Sequence, residues 1–351
     1  LLALKCFKGI TLKHFLFIFI LLLQACGTLW RGTIYNSPNV GDSKHFHAYE
    51  FTSNISNPYH IIKKMGIVNS IDLVKSKTDY LIKFENDTLF LLYGDENAID
   101  KPYELFSISK SVINLLLGIA INEGLIGSVD DNINSYITGI DKSLSSTTIR
   151  ELLQMRSGIN NNFYLQAIFY YGTNLKWSIT QIKVNKSNVG IFQYSDCSTQ
   201  LLAFIIENVT HKTIEEYFHE KLWVPLEMVG RGSWTWDSKK HKNARAFCGL
   251  SLPPINLIKI ANLVINNGIY NDKIIIPTSW IDFISIVSIK EPNYIDGHYY
   301  NYHWRCLDDN ILYAKGLRGQ YLFINQKQGS IYLRLGRSES KINWLQLFTH
   351  G

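Results

Sequence analysis

The feature that most constrains this chain is an apolar run that opens on a hydroxyl and an amine. Phe106-Ser107-Ile108-Ser109-Lys110-Ser111-Val112 leads into a stretch to Ile121 that is apolar almost all round, broken only by Asn114 and Gly118. Such a run has no wet face, so as a helix it belongs in a core. Glu123 and Gly124 supply its stop. Ser107 then stands at the helix start, with Lys110 one turn on along the same face. An ammonium there is disfavoured both by burial and by the positive end of the helix dipole. The expectation is a lysine held neutral, able to activate the neighbouring hydroxyl as a nucleophile. The competing reading is that Ser107 only caps the helix and Lys110 extends to water.

Around this run the chain is globular in character. Its 351 residues are 46% hydrophobic and 18% charged, enough for one large domain or two intimately packed ones. The formal charge is +6, but Lys5, Lys8 and Lys13 fall in an acid-free first 25 residues. The remainder holds 32 basic against 29 acidic residues, too even for a nucleic-acid partner.

Residues 1–25 read as an export signal, with a basic start and an unbroken apolar core from Phe15 to Leu23. Leu23-Gln24-Ala25-Cys26-Gly27 resembles a bacterial lipobox, which makes Cys26 the expected lipidation site. The alternative is an uncleaved signal anchor. Either way the body is expected on the extracytoplasmic side of a bacterial envelope, membrane-anchored through its N-terminus. Residues 26–60 are expected to form a tether and N-terminal extension, and residues 61–351 the folded domain. Cys197, Cys248 and Cys306 remain in the mature chain and permit at most one disulfide. His45-Phe46-His47 is read as a surface strand, and no metal site is expected.

Along the body, Tyr80–Phe84 and Thr88–Tyr93 form a hairpin over Glu85-Asn86-Asp87. Capping boxes open helices at Thr148-Ile149-Arg150-Glu151 and Thr213-Ile214-Glu215-Glu216. Further helices are expected over Ser198–Asn208 and Ile255–Asn266, from Thr278, and over Lys341–Phe348. Asn160–Asn188 is aromatic and irregular and either lines a cleft or covers the core; Trp234-Thr235-Trp236-Asp237 reads as a loop. The end of the chain turns to strands at Trp304–Cys306, Ile311–Ala314, Tyr321–Asn325 and Ile331–Leu335. Strands at both ends with helices between predict one antiparallel sheet built from distant halves, flanked by helices and holding an inserted helical subdomain, an α/β fold of the α+β type.

Three boxes carry chemistry. A bare Ser-x-x-Lys is weak, and a second one occurs at Ser338-Glu339-Ser340-Lys341 in a polar segment. Phe192-Gln193-Tyr194-Ser195-Asp196 precedes a helix; its tyrosine can relay a proton beside a lysine, or the segment is a cap with a packed ring. Ala314-Lys315-Gly316-Leu317-Arg318-Gly319-Gln320 leads into a late strand; its glycines can admit a carbonyl to main-chain N–H groups, or form an ordinary turn.

In this order the boxes resemble those of the serine β-lactamase and penicillin-binding-protein-like superfamily. The branch most resembled holds class C β-lactamases, D-alanyl-D-alanine carboxypeptidases, esterases and 6-aminohexanoate-dimer hydrolases. The resemblance runs from about Phe84 to Leu335 and includes Leu152-Leu153-Gln154-Met155-Arg156-Ser157-Gly158 and Trp223-Val224-Pro225-Leu226. It implies a β-lactamase/transpeptidase-like fold and a serine hydrolase. Ser107 would be the acylated nucleophile, Lys110 its activating partner and Tyr194 the proton relay. Ser107, Gly316 and Leu317 would form the oxyanion and substrate-binding site, with the N–H groups of Ser107 and Leu317 as donors. No cofactor is implied. The substrate would be a small-molecule or peptide ester or amide. The alternative within the same fold is an envelope-anchored, non-hydrolytic penicillin-recognising sensor. Two departures stand out: the commoner Tyr-x-Asn is Tyr194-Ser195-Asp196 here, and the third box is Lys315-Gly316-Leu317 rather than Lys-Thr-Gly or His-x-Gly.

Overall fold

A computed structural model describes Lys44 and residues 46–63, 70–286, 294–295 and 298–350. The expected signal, Cys26, most of the tether and His45 lie outside the described residues. Among those described, the main sheet runs in the order Tyr294–Ile295, His298–Asn301, Trp304–Asp308, Ile311–Gly316, Gln320–Asn325, Ser330–Gly336, Thr78–Glu85, Thr88–Tyr93, His60–Lys63. The two halves of the chain meet where Leu333 pairs with Ile82 and Ile331 with Phe84. This is the expected antiparallel sheet, except that His60–Lys63 adds a parallel edge to Thr88–Tyr93. The hairpin turn is two residues, Asn86 and Asp87, both with positive φ, the backbone that suits the right-handed twist of a tight hairpin.

Strand alternation divides the sheet into two faces. Ile82, Phe84, Leu322, Leu333 and Leu335 join the main core with the central helix Ile108–Asn122. Leu81, Tyr313, Phe323 and Tyr332 form a second cluster on the other face, closed by Trp344 and Phe348 of the C-terminal helix Trp344–His350. The central helix is buried from Ile108 to Ala120, as its sequence requires. Gly118 is a glycine because a Cβ there would lie 2.4 Å from the Trp280 ring of the helix Thr278–Ser285.

The helical insert packs on the far side of the central helix, chiefly through the helix Asp196–Thr210. Both predicted capping boxes are formed, at Thr148 and Thr213. Asn160–Asn188 is more regular than expected. It holds the helices Phe163–Tyr171 and Leu175–Ile179, each capped by an asparagine, and the strand Val184–Val189. Trp234 is likewise in a strand, not a loop: Gly230–Thr235 pairs with Ala48–Ser53 in a second, four-stranded sheet. The N-terminal extension therefore enters the fold at Ala48, and Phe51 is buried against Phe218 and Trp223. Only Phe51 is buried in Ala48–Ser53, and Gly232, Trp234 and Thr235 in Gly230–Thr235, so neither strand shows the alternation that would announce it.

Gly118 gives a direct test of this packing. Alanine would gain about 1 kcal/mol of helix propensity, but forcing a methyl into the Trp280 ring costs about 1–3 kcal/mol. Gly118→Ala is expected to lower the melting temperature; a rise would show that the ring is not where it is described.

Candidate functional site

The site is assembled where the sheet, the central helix and the helical insert converge. Leu105 is tied to the second sheet through Leu250, and Ser109 Oγ accepts from Leu250 N. Between them the chain turns sharply at Phe106, which is buried and left-handed with φ 48°. A bulky residue in that region costs about 1–3 kcal/mol and is held by its surroundings. The turn presents Ser107 at the start of the helix. Its side chain makes no capping hydrogen bond, so the capping role is not used.

Lys110 is 1% exposed, and its Nζ is the centre of the site. It donates to Ser107 Oγ at 3.0 Å and to the Phe247 carbonyl at 2.8 Å, and pairs with Asp196 Oδ1 at 2.7 Å. The rings of Tyr194 and Phe247 flank it at 5.0 and 5.6 Å from their centroids. Two of these partners, the Phe247 carbonyl and the Asp196 carboxylate, can only accept from the amine. Burial alone would lower the lysine's proton affinity, but the Asp196 carboxylate and its hydrogen bond outweigh it and raise it above the ordinary lysine range. The expectation of a neutral Lys110 is therefore corrected. The helix is as buried as foreseen, but the charge brought to its amine by the Tyr-Ser-Asp segment was not weighed.

Tyr194 is positioned by its backbone and by rings. Its carbonyl accepts from Asn161 Nδ2 at 2.8 Å. Tyr300 meets its ring edge-on at 5.7 Å, and the Arg305 guanidinium lies 5.9 Å from its centroid. Two cations thus stand beside one phenol. Below the site, buried His303 bridges Thr199 and the Leu153 carbonyl, while Ser111 Oγ donates to the His303 carbonyl. Burial and nearby Lys110 push His303 down to about 3, so it stays neutral. Burial and Asp196 push the Cys248 thiol up to about 12. Cys197, Cys248 and Cys306 are all free.

The third box meets the first at close range. A Cβ on Gly316 would lie 2.3 Å from the Leu105 carbonyl, so only glycine lets this strand run beside the segment that carries Ser107. Leu317 follows, part-exposed. The second Ser-x-x-Lys is not helical: Ser338 bonds the Ser76 carbonyl and Ser340 accepts from Trp344. The structure thus brings Ser107, Lys110 and Tyr194 together and sets Gly316 beside them.

The comparisons with known proteins agree with this architecture. A family model for Beta-lactamase matches residues 90–254. The 6-aminohexanoate-dimer hydrolase of Paenarthrobacter ureafaciens is 21% identical over 283 residues, 73% of this chain and 71% of that protein. A structure assigned as a 6-aminohexanoate-dimer hydrolase from Bacillus anthracis superposes with a TM-score of 0.75 at 18% identity, over 87% of this chain and 89% of that one. An octameric penicillin-binding protein homologue from Pyrococcus abyssi gives 0.61 at 20% identity, over 76% and 71%. The fold is that of β-lactamase and penicillin-binding-protein-like structures, and residues 90–254 carry the Beta-lactamase match.

The chain departs at two places from the box pattern it resembles, and the structure shows where each falls. The inward positions of the third-box strand are Ala314 and Gly316; Lys315 faces outward, 5.5 Å from the Tyr321 centroid and 3.9 Å from Glu339. That strand brings no cation to the site. The second box brings an acid, Asp196, where the superfamily pattern more often has an amide. Sequence reasoning noted Asp196 as a departure but did not place it on Lys110. Its signal was available: an acid in the first turn of a helix, two residues past the tyrosine. The Phe247 carbonyl had no such signal, since any residue carries one. Lys315→Met is expected to leave fluorophosphonate labelling within about twofold of wild type, whereas Lys110→Met should lower it by about 100-fold, the usual scale of a proton-transfer group. Equal losses would mean that Lys315 reaches the site.

Proposed function

We propose that this protein is a serine hydrolase that cleaves an ester or amide bond through an acyl-enzyme on Ser107. One observation carries the reading: a serine at the head of a buried helix, unused as a cap, holds its oxygen 3.0 Å from the amine of a lysine that solvent does not reach. The names of the relatives, hydrolases of 6-aminohexanoate dimer, point to the same class of chemistry.

In this mechanism the Lys110–Tyr194 pair first loses one proton to solvent, and the Ser107 proton passes to it as the oxygen attacks the carbonyl. The N–H groups of Ser107 and Leu317 hold the oxyanion, each worth roughly 3 kcal/mol of barrier. Tyr194 protonates the leaving group, and water releases the acyl group from Ser107. Charge developing on the phenol lies between Lys110 and Arg305.

A second reading keeps acylation and drops release, a penicillin-recognising sensor. The ion pair favours it to this extent: an amine already carrying its proton is a poor base for deacylating water. Labelling with a fluorophosphonate and with a fluorescent penicillin, in wild type and Ser107→Ala, separates these. Wild type is expected to label with the fluorophosphonate and Ser107→Ala to lose at least 100-fold; unchanged labelling in Ser107→Ala would end the proposal. A penicillin adduct that persists for hours identifies the sensor. We place the protein on the outer face of a bacterial membrane through Cys26, on the strength of Leu23-Gln24-Ala25-Cys26. Cys26→Ala should abolish incorporation of labelled palmitate, and retained label would refute the anchor.

A further inference from the structure

We infer that Asp196 keeps Lys110 protonated at rest, and so sets the pH at which Ser107 becomes reactive. The inference rests on the reading of Ser107 as nucleophile and adds to it a positioning residue that acts through Lys110.

Lys110 Nζ meets two groups that can only accept, the Phe247 carbonyl at 2.8 Å and Asp196 Oδ1 at 2.7 Å, with Ser107 Oγ at 3.0 Å as the third neighbour. Of these three the carboxylate alone carries charge, so it is the group that favours the ammonium. The Phe247 carbonyl can only accept, and it is fixed in place: Ala246 N donates to Gln200, while Arg245 donates to the carbonyls of Tyr170, Gly172 and Trp236. Asp196 is 29% exposed in its side chain while Lys110 is 1% exposed. The carboxylate thus stays partly hydrated while the amine depends on it, and an attraction through protein is far stronger than one through water.

No other neighbour can take over this titration near neutrality. From the sheet side, burial holds His303 neutral with its value near 3, and burial and nearby Tyr194 raise Tyr300 well above the phenol range. From the insert, burial raises Cys197 and Tyr170. From the loop that carries Phe247, Cys248 is pushed up to about 12. Arg305 and Tyr194 complete the set that faces the pair.

For Lys110 to act as base it must first lose a proton. It passes through Asp196 to water, leaving a neutral amine beside the carboxylate; rotation about Cε–Nζ then turns the freed lone pair to Ser107. The Ser107 proton moves to Nζ as the carbonyl carbon–Oγ bond forms. The ammonium is restored, and no co-reactant is consumed. Below the proton affinity of the pair, the reactive fraction rises about tenfold per pH unit.

The test is the rate of fluorophosphonate labelling between pH 5 and 10 in wild type, Asp196→Asn, Asp196→Glu and Ser107→Ala. Wild type should still be accelerating at about pH 9, because its lysine lies above the ordinary range. Asp196→Asn leaves the amine buried without its counter-charge, and burial then favours the neutral form. Its rising limb should move toward acid by more than about one unit, with labelling at pH 7 at least about tenfold faster. Asp196→Glu should keep the alkaline limb. A limb that does not move in Asp196→Asn, in protein that melts as wild type does, overturns the inference and leaves the nucleophile standing. Asp196→Ser repeats the test if the amide variant does not fold, and a wild-type limb centred below about pH 8 overturns it without any variant. Labelling that survives Ser107→Ala removes the nucleophile, and this inference with it.

Discussion

The structure depends on one amine having somewhere to put its charge. Taking an ammonium out of water costs several kcal/mol even after relaxation, and the fold recovers this only with close, well-directed partners. The three acceptors of Lys110 come from three separate segments: the central helix itself, the start of the Asp196–Thr210 helix and the loop through Phe247. None of the three works unless the others are in register. The ion pair therefore ties the helical insert to the helix that carries the serine. Removing one partner would leave the other charge stranded, a larger penalty than the pair's own net worth.

A second constraint brings the sheet to the same point. Phe106 is forced into a left-handed turn just before Ser107, and Gly316 lets the third-box strand approach the carbonyl of Leu105. The serine thus sits at a junction where a strained turn, a helix start and a strand edge meet. Strain of this kind persists only where surrounding structure over-determines it, and here it is fixed by Ser109 bonding both Phe106 and Leu250. The arrangement orients the hydroxyl without spending it on a cap.

The central helix, the hairpin and both capping boxes were legible because each depends on local pattern, and the sheet's union of distant halves followed from strands at both ends. The strand at Gly230–Thr235 was not legible: its partner is Ala48–Ser53, far away in sequence, and nothing local announces that pairing. The regular elements inside Asn160–Asn188 were hidden by their shortness and aromatic content. At the site, Ser107, Lys110 and Tyr194 were pointed to by the resemblance of the three boxes in their order, not by any one spacing. The charge on Lys110 was not legible, because it is decided by a carboxylate 86 positions later that only folding brings within 2.7 Å. In the third box neighbouring strand residues face opposite ways, so it is Gly316 and not Lys315 that lies beside Leu105.

That charge also decides how the site handles its proton. With Lys110 as a donor, the resting hydrogen bond runs from the amine to the serine oxygen, which quiets the oxygen's lone pair rather than raising its reactivity. Tyr194 has two cations near its ring, Lys110 at 5.0 Å and Arg305 at 5.9 Å from the centroid. Its neighbour His303 is held neutral by burial and by Lys110. The carboxylate of Asp196 is therefore the charge set directly on the amine, and an amide in its place would remove that counter-charge while keeping a side chain of the same size.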